Sequence, residues 1–295
     1  MLQARDYGDV DDLRRMQRLV AQIWRKSEGP PVSHHVGDLP WRRFSISGRE
    51  HEFPTRLWEE NGAIVAWAWL TLPDELEVVI APGRRAELLD DAVTWADARA
   101  GCAVKVDWLD ADAELRTLLV ERGFELLEED VFYSHARTLA TLPEPAVPAG
   151  FKLRHVQLPE DLEQRVRVHR ASFGTAERPS RMTTESYAAA AAAWPYRPEL
   201  DWVVEAPDGS FAASCLIWLD EENRVAELEP VGTDARYRRL GLASAACIAA
   251  MRAAHARRAE TAIVMAVSDE ARGLYRAIGF EEVGRYTWFA RPFSG

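Results

Sequence analysis

Apolar and polar positions in the second half of the chain follow two periods, which together predict a sheet flanked by helices. Alternating or continuous apolar runs predict strands, and apolar positions three to four residues apart predict helices. The predicted order begins with a strand over 151–156, helices over 159–171 and 183–193, and three strands over 202–206, 212–219 and 225–231. It continues with a helix over 240–258, a strand over 262–267, a helix over 269–280 and a strand over 281–293. An Asp-Gly turn predicts that the first two of the three consecutive strands form a hairpin. The expected fold class is α+β, with a mixed, mostly antiparallel central sheet flanked by helices.

The first half of the chain shows the same order of elements more faintly. Helices are predicted over 9–24, 86–100 and 112–124, and strands over 55–60, 63–72, 75–80 and 103–109. Residues 114–129 match 270–285 in apolar spacing and in a shared Gly-Phe pair, which indicates an internal duplication. A segment with three prolines in ten residues, 141–150, separates the two copies. We therefore expect two tandem domains, 1–140 and 151–295, joined by a linker at 141–150.

Length and composition fit a two-domain globular protein and argue against several classes. A chain of 295 residues is long for a single core. Its net charge of −11 argues against general nucleic-acid binding, because phosphate contacts dominate that affinity. No apolar run approaches the roughly 20 residues of a membrane helix, and the N-terminal residues lack the pattern of a secretory signal. We therefore expect a cytoplasmic protein with neither a nucleic-acid nor a membrane partner.

Cysteine and histidine positions predict neither a disulfide nor a metal site. Cys102, Cys215 and Cys247 lie far apart in the sequence and are interpreted as buried thiols. His34 and His35 stand together in a loop segment with no third ligand residue nearby in the sequence, so we expect no metal site.

The stretch 231–245, VGTDARYRRLGLASA, joins a predicted strand to an Ala-rich helix through a turn rich in arginine. A helix N-terminus has unpaired backbone N–H groups and about half a positive charge, so it holds phosphate without a particular side chain. Gly241 allows a close approach of the backbone, and Arg236, Arg238 and Arg239 add positive charge. The turn is therefore predicted to bind an anionic phosphate group, although neither a Walker loop nor a dinucleotide fingerprint occurs.

The motif RRLGLA at 238–243 and the segment LYRAIGF at 274–280 together resemble the GNAT superfamily of N-acetyltransferases. The cofactor turn of that family follows the pattern Arg/Gln-x-x-Gly-x-Gly/Ala, and a Leu-Tyr pair and a Gly-Phe pair lie on and after its last helix. The resemblance covers about 150–295, with the neighbouring strands and helices in family order.

The resemblance implies acetyl-CoA, or a close acyl-CoA, as co-substrate. Its pyrophosphate would lie on the backbone of the turn, and its pantetheine arm would pair with the strand edge before the turn. Ser268 stands where many relatives carry a cofactor-binding asparagine. The cofactor-binding residues implied are Val231, Gly232, Thr233, Arg238, Arg239, Leu240, Gly241, Leu242, Ala243, Ser244 and Ser268.

Two strand glutamates that lead into the turn are candidates for a general base. Glu227 and Glu229 lie two residues apart, so both side chains face one side of the sheet. A base is useful because a free alkylamine, with a pKa near 10.4, loses its proton at pH 7 only at a cost of about 4.6 kcal/mol. The resemblance implies that Glu227 takes this role, directly or through water, with Glu229 as the second candidate. A solvated strand face that carries two acids is the alternative.

The resemblance also implies that Tyr275 is the general acid for the leaving thiolate, and core packing is its alternative role. In the two matched stretches Leu119 takes the place of Tyr275, and the corresponding turn in the first half, VVIAPGRRAELLDD, lacks the family pattern. We therefore expect the first half to be a degenerate copy without a cofactor site. Its expected role is to pack against the active half and close one wall of the acceptor pocket.

These expectations combine into an acetyl-CoA-dependent N-acetyltransferase with one active site in the C-terminal half and a small-molecule amine as acceptor. The alternatives left open are a non-catalytic acyl-CoA-binding module, a mycothiol synthase-like enzyme and a protein N-acetyltransferase. The intact RRLGLA motif, together with Glu227 and Tyr275, argues against the non-catalytic module.

Overall fold

The computed structural model describes residues 1–45 and 47–291, except for the side chains of 128–130. The predicted final strand, 281–293, extends past the end of this part of the chain. Among the helices of these residues, none is both long enough and apolar enough to cross a membrane.

Strands and helices are interspersed along the chain. Up to residue 138 they are β1 (Gln3–Asp6), α1 (Val10–Lys26), α2 (Asp38–Ser45), β2 (Thr55–Glu60), β3 (Ala63–Thr71), β4 (Glu75–Ile80), α3 (Arg85–Ala100), β5 (Lys105–Leu109), α4 (Ala113–Glu121) and β6 (Glu125–Thr138). After it they are β7 (Lys152–His155), α5 (Leu162–Phe173), α6 (Thr184–Ala192), β8 (Asp201–Glu205), β9 (Phe211–Asp220), β10 (Val225–Thr233), α7 (Leu242–Ala256), β11 (Thr261–Ala266), α8 (Asp269–Ala277) and β12 (Glu281–Ala290). Short 3-10 helices cover Glu50–Glu52, Pro198–Leu200 and Ala235–Tyr237.

The packing of these elements forms two compact units, and neither is contiguous in sequence. The first contains Met1–His35, Gly48–Ser134 and the part of β12 from Val283 onward. The second contains Val36–Ser47 and His135–Glu282. The domain limits expected from the sequence stay a prediction, and the packing adds that the segment with α2 belongs to the second unit.

The first unit is built on an antiparallel meander that continues into a parallel pair. β1, β2, β3 and β4 pair antiparallel in sequence order, and β4 pairs parallel with β5. β5 pairs in turn with the end of β12, whose residues from Tyr286 onward run antiparallel to it. Helices α3 and α4 bury Leu88 and Leu119 completely in the same apolar cluster as the sheet residues Leu76 and Val106.

The second unit has the same order of strand directions. β7, β8, β9 and β10 pair antiparallel in sequence order, and β10 pairs parallel with β11. Every residue of β9 is buried, as expected for a central strand covered on both faces. Cys215 and Ile217 join the core cluster that contains α7, whereas Leu216 and Trp218 join a cluster with α2, α5 and α6.

The predicted helices and strands are all present over the described residues, with ends shifted by a few positions. Sequence periodicity misses β1, α2 and β6. The expectation of three buried thiols is wrong for one cysteine: Cys215 and Cys247 are buried, but Cys102 is exposed. It follows Gly101, which ends α3 in a left-handed conformation and turns the chain along the surface.

Candidate active site

β10 carries both predicted bases and the predicted cofactor edge. Its antiparallel pairing with β9 continues to its last residue, Thr233, which lies opposite Ala213. Its registered parallel pairing with β11 ends at Glu227 in the part of the chain that the structure describes. The two parallel strands therefore diverge after Glu227, and the edge Val231–Thr233 lies beyond the point of divergence. An extended ligand can pair with a strand edge of this kind.

A bulge and a close contact shape this edge. The register with β9 shifts between Leu228 and Val231, around Pro230, which has no N–H to donate to a ladder. A Cβ atom at Gly232 would lie 2.6 Å from the Cβ atom of Ser172. Glycine therefore allows the C-terminal end of α5 to pack directly on β10 at this point.

The turn after β10 ends in a helix N-terminus without a side-chain cap. Gly241 occupies the N-cap position with a φ of 77°, which favours glycine, and as a glycine it has no side chain to cap the first turn of α7. That turn also contains no acidic residue. The backbone N–H groups of Leu242, Ala243 and Ser244 thus form the positive end of the helix dipole, which is the arrangement that binds phosphate.

The three arginines of the turn contribute unequally to its charge. Arg236 forms an ion pair with Asp234 at 2.8 Å, and its hydrogen bond holds the pKa of Asp234 below the usual range. Arg238 and Arg239 are exposed, and neither forms an ion pair with another described residue. The positive charge available to an anion therefore comes mainly from Arg238 and Arg239, because Asp234 balances the charge of Arg236.

Three carboxyl groups meet at the point where β10 and β11 diverge: Glu227, Glu229 and, from α2, Asp38. A side-chain hydrogen bond with Asp38 lowers the pKa of Glu227, but burial has the larger effect. Burial raises the pKa of Glu227 to about 8, and the negative charge of Glu229 acts in the same direction. Burial also raises the pKa of Glu229 to about 7, with the charge of Asp38 adding to the rise.

The two glutamates therefore titrate near neutral pH, which is where a general base is most effective. As whole residues both are half-buried in β10, although Oε2 of Glu227 is buried. The burial that raises the pKa of Glu227 and Glu229 argues against a solvated strand face, the alternative considered for this pair.

Residues around α2 complete the surroundings of the acid cluster, and sequence analysis does not assign them to the site. A Cβ atom at Gly37 would lie 2.2 Å from the Cβ atom of Trp218, so glycine is needed where the chain enters α2. Trp41 donates a hydrogen bond to the carboxylate of Glu229. The indole Nε1 of Trp218 donates to the backbone oxygen of Glu229 at 2.7 Å. Two tryptophans thus fix Glu229 through its side chain and its backbone.

The sequence contains a signal for the start of α2, but it does not show where this helix packs. Asp38 opens the helix and Pro40 lies in its first turn, which is a typical helix start. The helix has only 8 residues, so its apolar period is too short to show which sheet it packs on. Capping rules could therefore predict the helix, but not the contribution of Asp38 and Trp41 to the site.

Tyr275, the predicted general acid, lies in α8 with 5% of its surface exposed. It belongs to the core cluster of the second unit, and its ring packs against Phe280 at 5.8 Å. Burial raises the pKa of its phenol well above the ordinary value, and the neighbouring Cys247 and Glu229 act in the same direction. The hydroxyl is therefore protonated at neutral pH, as a general acid must be. Its catalytic role stays a prediction.

Ser268, a predicted cofactor-binding residue, also caps a helix. It is the N-cap of α8, and its hydroxyl accepts a hydrogen bond from the backbone N–H of Ala271 at 3.2 Å. The predicted contact of Ser268 with the cofactor stays a prediction.

The corresponding helix start in the first unit is built differently. α3 begins after Arg84, and Glu87 lies in its first turn. Arg84 forms ion pairs with Glu87 and Glu60, and Arg85 forms one with Asp112. Both arginines are therefore neutralised, and an acid at the helix N-terminus repels an anion. These pairings support the expected loss of the cofactor site from the first half.

Comparison with known proteins agrees with this architecture. Residues 166–280 match the family model described as the acetyltransferase (GNAT) family. No curated protein matches the chain in sequence. A GCN5-related N-acetyltransferase from Sphaerobacter thermophilus is similar over 99% of this chain and 96% of its own, with 20% identity and a TM-score of 0.61.

Two further solved structures align over nearly the full length. A tandem GNAT protein from the clavulanic acid biosynthesis pathway, solved without acetyl-CoA, covers 100% of both chains with 14% identity and a TM-score of 0.63. A GNAT-family acetyltransferase from Colwellia psychrerythraea covers 98% of this chain and 100% of its own, again with 14% identity and a TM-score of 0.63. At these identities the likeness shows the fold.

The segment 166–280 is therefore similar to the acetyltransferase (GNAT) family. The full chain has the α+β fold of two tandem GNAT-like domains, as the sequence predicts. Acyl-CoA-dependent transfer is the general chemistry that this family supports.

Proposed function

We propose that this chain is an acetyl-CoA-dependent N-acetyltransferase that moves an acetyl group to the amine of a small molecule, at one active site in the second unit. The observation that carries the proposal is the order of groups along β10 and α7. Buried carboxyls at Glu227 and Glu229 come first, then the strand edge Val231–Thr233, then the uncapped helix start at Gly241. These groups supply a base, a hydrogen-bonding edge and an anion site.

The residues present fit an acyl-CoA. The first turn of α7, with Arg238 and Arg239, would hold a pyrophosphate. The edge Val231–Thr233 would pair with the amide groups of a pantetheine arm. Met265 and Val267, exposed at 42% and 70%, lie on and just after β11, beyond its divergence from β10, and would contact the apolar parts of such a ligand. When bound, acetyl-CoA supplies the acetyl group as a thioester.

The acid cluster favours an amine acceptor. An alkylamine with a pKa near 10.4 is protonated at pH 7, so the negative charge that Glu229 holds beside Glu227 would attract it as a cation. Glu227, with its pKa raised to about 8, holds a proton more strongly than an ordinary glutamate does. Proton transfer from the bound ammonium to Glu227 is therefore much less unfavourable than transfer to an exposed carboxylate would be.

Two other side chains complete the proposed reaction. Glu229, oriented by Trp41, holds negative charge beside Glu227 and serves as the second candidate base. Tyr275 keeps a proton on its phenol oxygen at neutral pH and would donate it to the departing thiolate. Both assignments rest on the family resemblance and on the protonation states that burial imposes.

Calorimetric titration of acetyl-CoA tests the proposal. We would compare the parent with Gly241→Glu and Gly241→Gln, which are matched in size and strain the same left-handed residue at a position with open space around it. The expected result is one-to-one binding by the parent, weaker binding by Gly241→Gln and the greatest loss for Gly241→Glu, because only this variant places a negative charge at the phosphate position. Absence of binding by the parent would overturn the proposal.

An amine-library screen for release of the CoA thiol then separates the alternatives. Acetyl-CoA binding without thiol release would favour a non-catalytic acyl-CoA-binding protein. Activity on peptides or on a thiol-precursor amine would favour the protein acetyltransferase or the mycothiol synthase-like enzyme. A cytoplasmic location without nucleic-acid or membrane partners stays part of the proposal, and the oligomeric state is left open.

A further inference from the structure

Three potential metal ligands from separate segments meet in the first unit. They are His34, in the loop after α1, Glu77 on β4 and Asp107 on β5. Their ligand atoms all lie within 4.8 Å of one another, and Nε2 of His34 lies 3.0 Å from Oε2 of Glu77. Sequence analysis expects no metal site because no third ligand is near the two histidines in the sequence. The fold brings two carboxylates to His34, so distance along the sequence does not exclude a metal site.

The parallel pairing of β4 and β5 places the two carboxylates side by side. Leu76 lies opposite Val106, and both are completely buried in the core of the first unit. Successive side chains of a strand point to opposite faces, so Glu77 and Asp107, one residue further on, share the other face. Leu76 and Val106 are also the last registered pair of the two strands. The carboxylates of Glu77 and Asp107 therefore lie where β4 and β5 begin to diverge.

The imidazole of His34 is held in place from three directions. Its side chain is 5% exposed, and its ring meets that of Trp67 edge-on at 5.0 Å. Its backbone oxygen accepts a hydrogen bond from the indole of Trp24 at 2.6 Å. The hydroxyl of Tyr286 donates to the backbone oxygen of Ser33, the preceding residue, at 2.8 Å. His34 is thus oriented toward the carboxylates before any ligand arrives, which lowers the entropy cost of binding.

A small cavity adjoins the cluster. Ser33 and Asp107 line it together with the polar residues Arg85 and Asp112 and apolar residues of α1, β4, β5 and α4. Its volume is about 30 Å³. A polar cavity needs only about 10–15 Å³ to hold one water molecule. The space beside Asp107 is therefore sufficient for a water molecule that completes the coordination of an ion.

We propose that His34, Glu77 and Asp107 bind one divalent cation of the kind that accepts mixed nitrogen and oxygen ligands, such as Zn²⁺ or Mn²⁺. Imidazole and carboxylate are the ligands that these ions use in proteins. Two carboxylates with a neutral imidazole balance the charge of a divalent ion. Ligands that share an ion at about 2.1 Å in tetrahedral geometry lie about 3.4 Å apart, which is close to the 3.0 Å between His34 and Glu77. The ion would join β4, β5 and the loop after α1.

Isothermal titration of the chelator-treated full-length chain with Zn²⁺, and separately with Mn²⁺, tests this proposal. The variants are Glu77→Gln and Asp107→Asn, which keep side-chain size, and His34→Gln. The matched control is Glu75→Gln, because Glu75 lies on the same strand and face but pairs with Lys105 at 3.2 Å. We expect one ion per chain, at least a tenfold loss of affinity in each ligand variant, and a change within about twofold in the control.

A thermal melt and a spectroscopic measurement keep the test independent of variant folding. Saturating Zn²⁺ should raise the melting temperature of the parent by roughly 5 °C, but not that of Glu77→Gln. Co²⁺ bound to the parent should give visible absorption bands that change when His34 is replaced. Absence of metal binding by the parent, or binding that survives both carboxylate substitutions, would overturn the proposal.

Discussion

The identity of the general base can be tested through the pH dependence of kcat/KM. The perturbations are Glu227→Gln and Glu229→Gln, each of which removes one titrating carboxyl and keeps its size. With a pKa of about 8, Glu227 is about 9% ionised at pH 7 and about 91% at pH 9. If Glu227 is the base, the activity that it contributes rises about tenfold over this range. With a pKa of about 7, Glu229 rises from about 50% to about 99% ionised, which is only about twofold.

The assay follows release of the CoA thiol with a small amine acceptor between pH 6 and pH 9.5. The amine also titrates in this range, so the quantity to plot is the ratio of parent to variant kcat/KM, in which the ionisation of the acceptor cancels. We expect Glu227→Gln to lower activity by about 10²–10⁴-fold at pH 9, and we expect the ratio to fall about tenfold toward pH 7. Glu221→Gln, an exposed substitution in the turn after β9, is the control and should match the parent.

The second glutamate gives an internal check. The charge of Glu229 contributes to the raised pKa of Glu227, so Glu229→Gln should move the rise in activity to lower pH. A ratio of parent to Glu227→Gln that does not vary with pH would refute the assignment of Glu227 as base. If Glu229→Gln is instead the variant that loses activity, and the ratio of parent to Glu229→Gln kcat/KM rises only about twofold from pH 7 to pH 9, Glu229 is the base.

Two further predictions concern stability. The folded state holds the proton of Glu227 up to about pH 8, whereas an unfolded glutamate releases it near pH 4.3, so the free energy of unfolding falls as pH rises through this window. Glu227→Gln removes this loss of stability. Urea denaturation at pH 9 should therefore show the variant to be more stable than the parent by about 2–4 kcal/mol, with little difference at pH 5. A less stable variant at pH 9 would contradict the burial argument. Gly37→Ala would place a Cβ atom 2.2 Å from that of Trp218, so we expect it to lose about 1–3 kcal/mol of stability and to lose turnover as α2 moves from the acid cluster. Gly273→Ala, in open space on α8, is the control, and equal stability of the two variants would show that α2 does not need this close contact.

Short-range patterns in the chain were sufficient for the elements and for the internal repeat. The sequence match that places Leu119 opposite Tyr275 is confirmed by identical local hydrogen bonds. The N–H of Phe124 donates to the backbone oxygen of Leu119, and the N–H of Phe280 donates to that of Tyr275, each at 3.0 Å. Helix ends of this kind depend on residues within one turn, so apolar spacing and a Gly-Phe pair encode them. The Gly241 turn was predictable for the same reason.

Contacts between distant segments could not be predicted in this way. Asp38 reaches Glu227 only because α2 packs on α6 and in one apolar cluster with residues of β9. His34 reaches Asp107 only because β4 and β5 pair in one register. A local pattern shows that a helix or strand forms but not which surface it meets. The raised pKa of Glu227 depends on the same packing, because burial and neighbouring charge shift a carboxyl, whereas its position in the sequence does not. The positions of the candidate bases therefore follow from the chain alone, and their chemistry follows from what the folded protein packs around them.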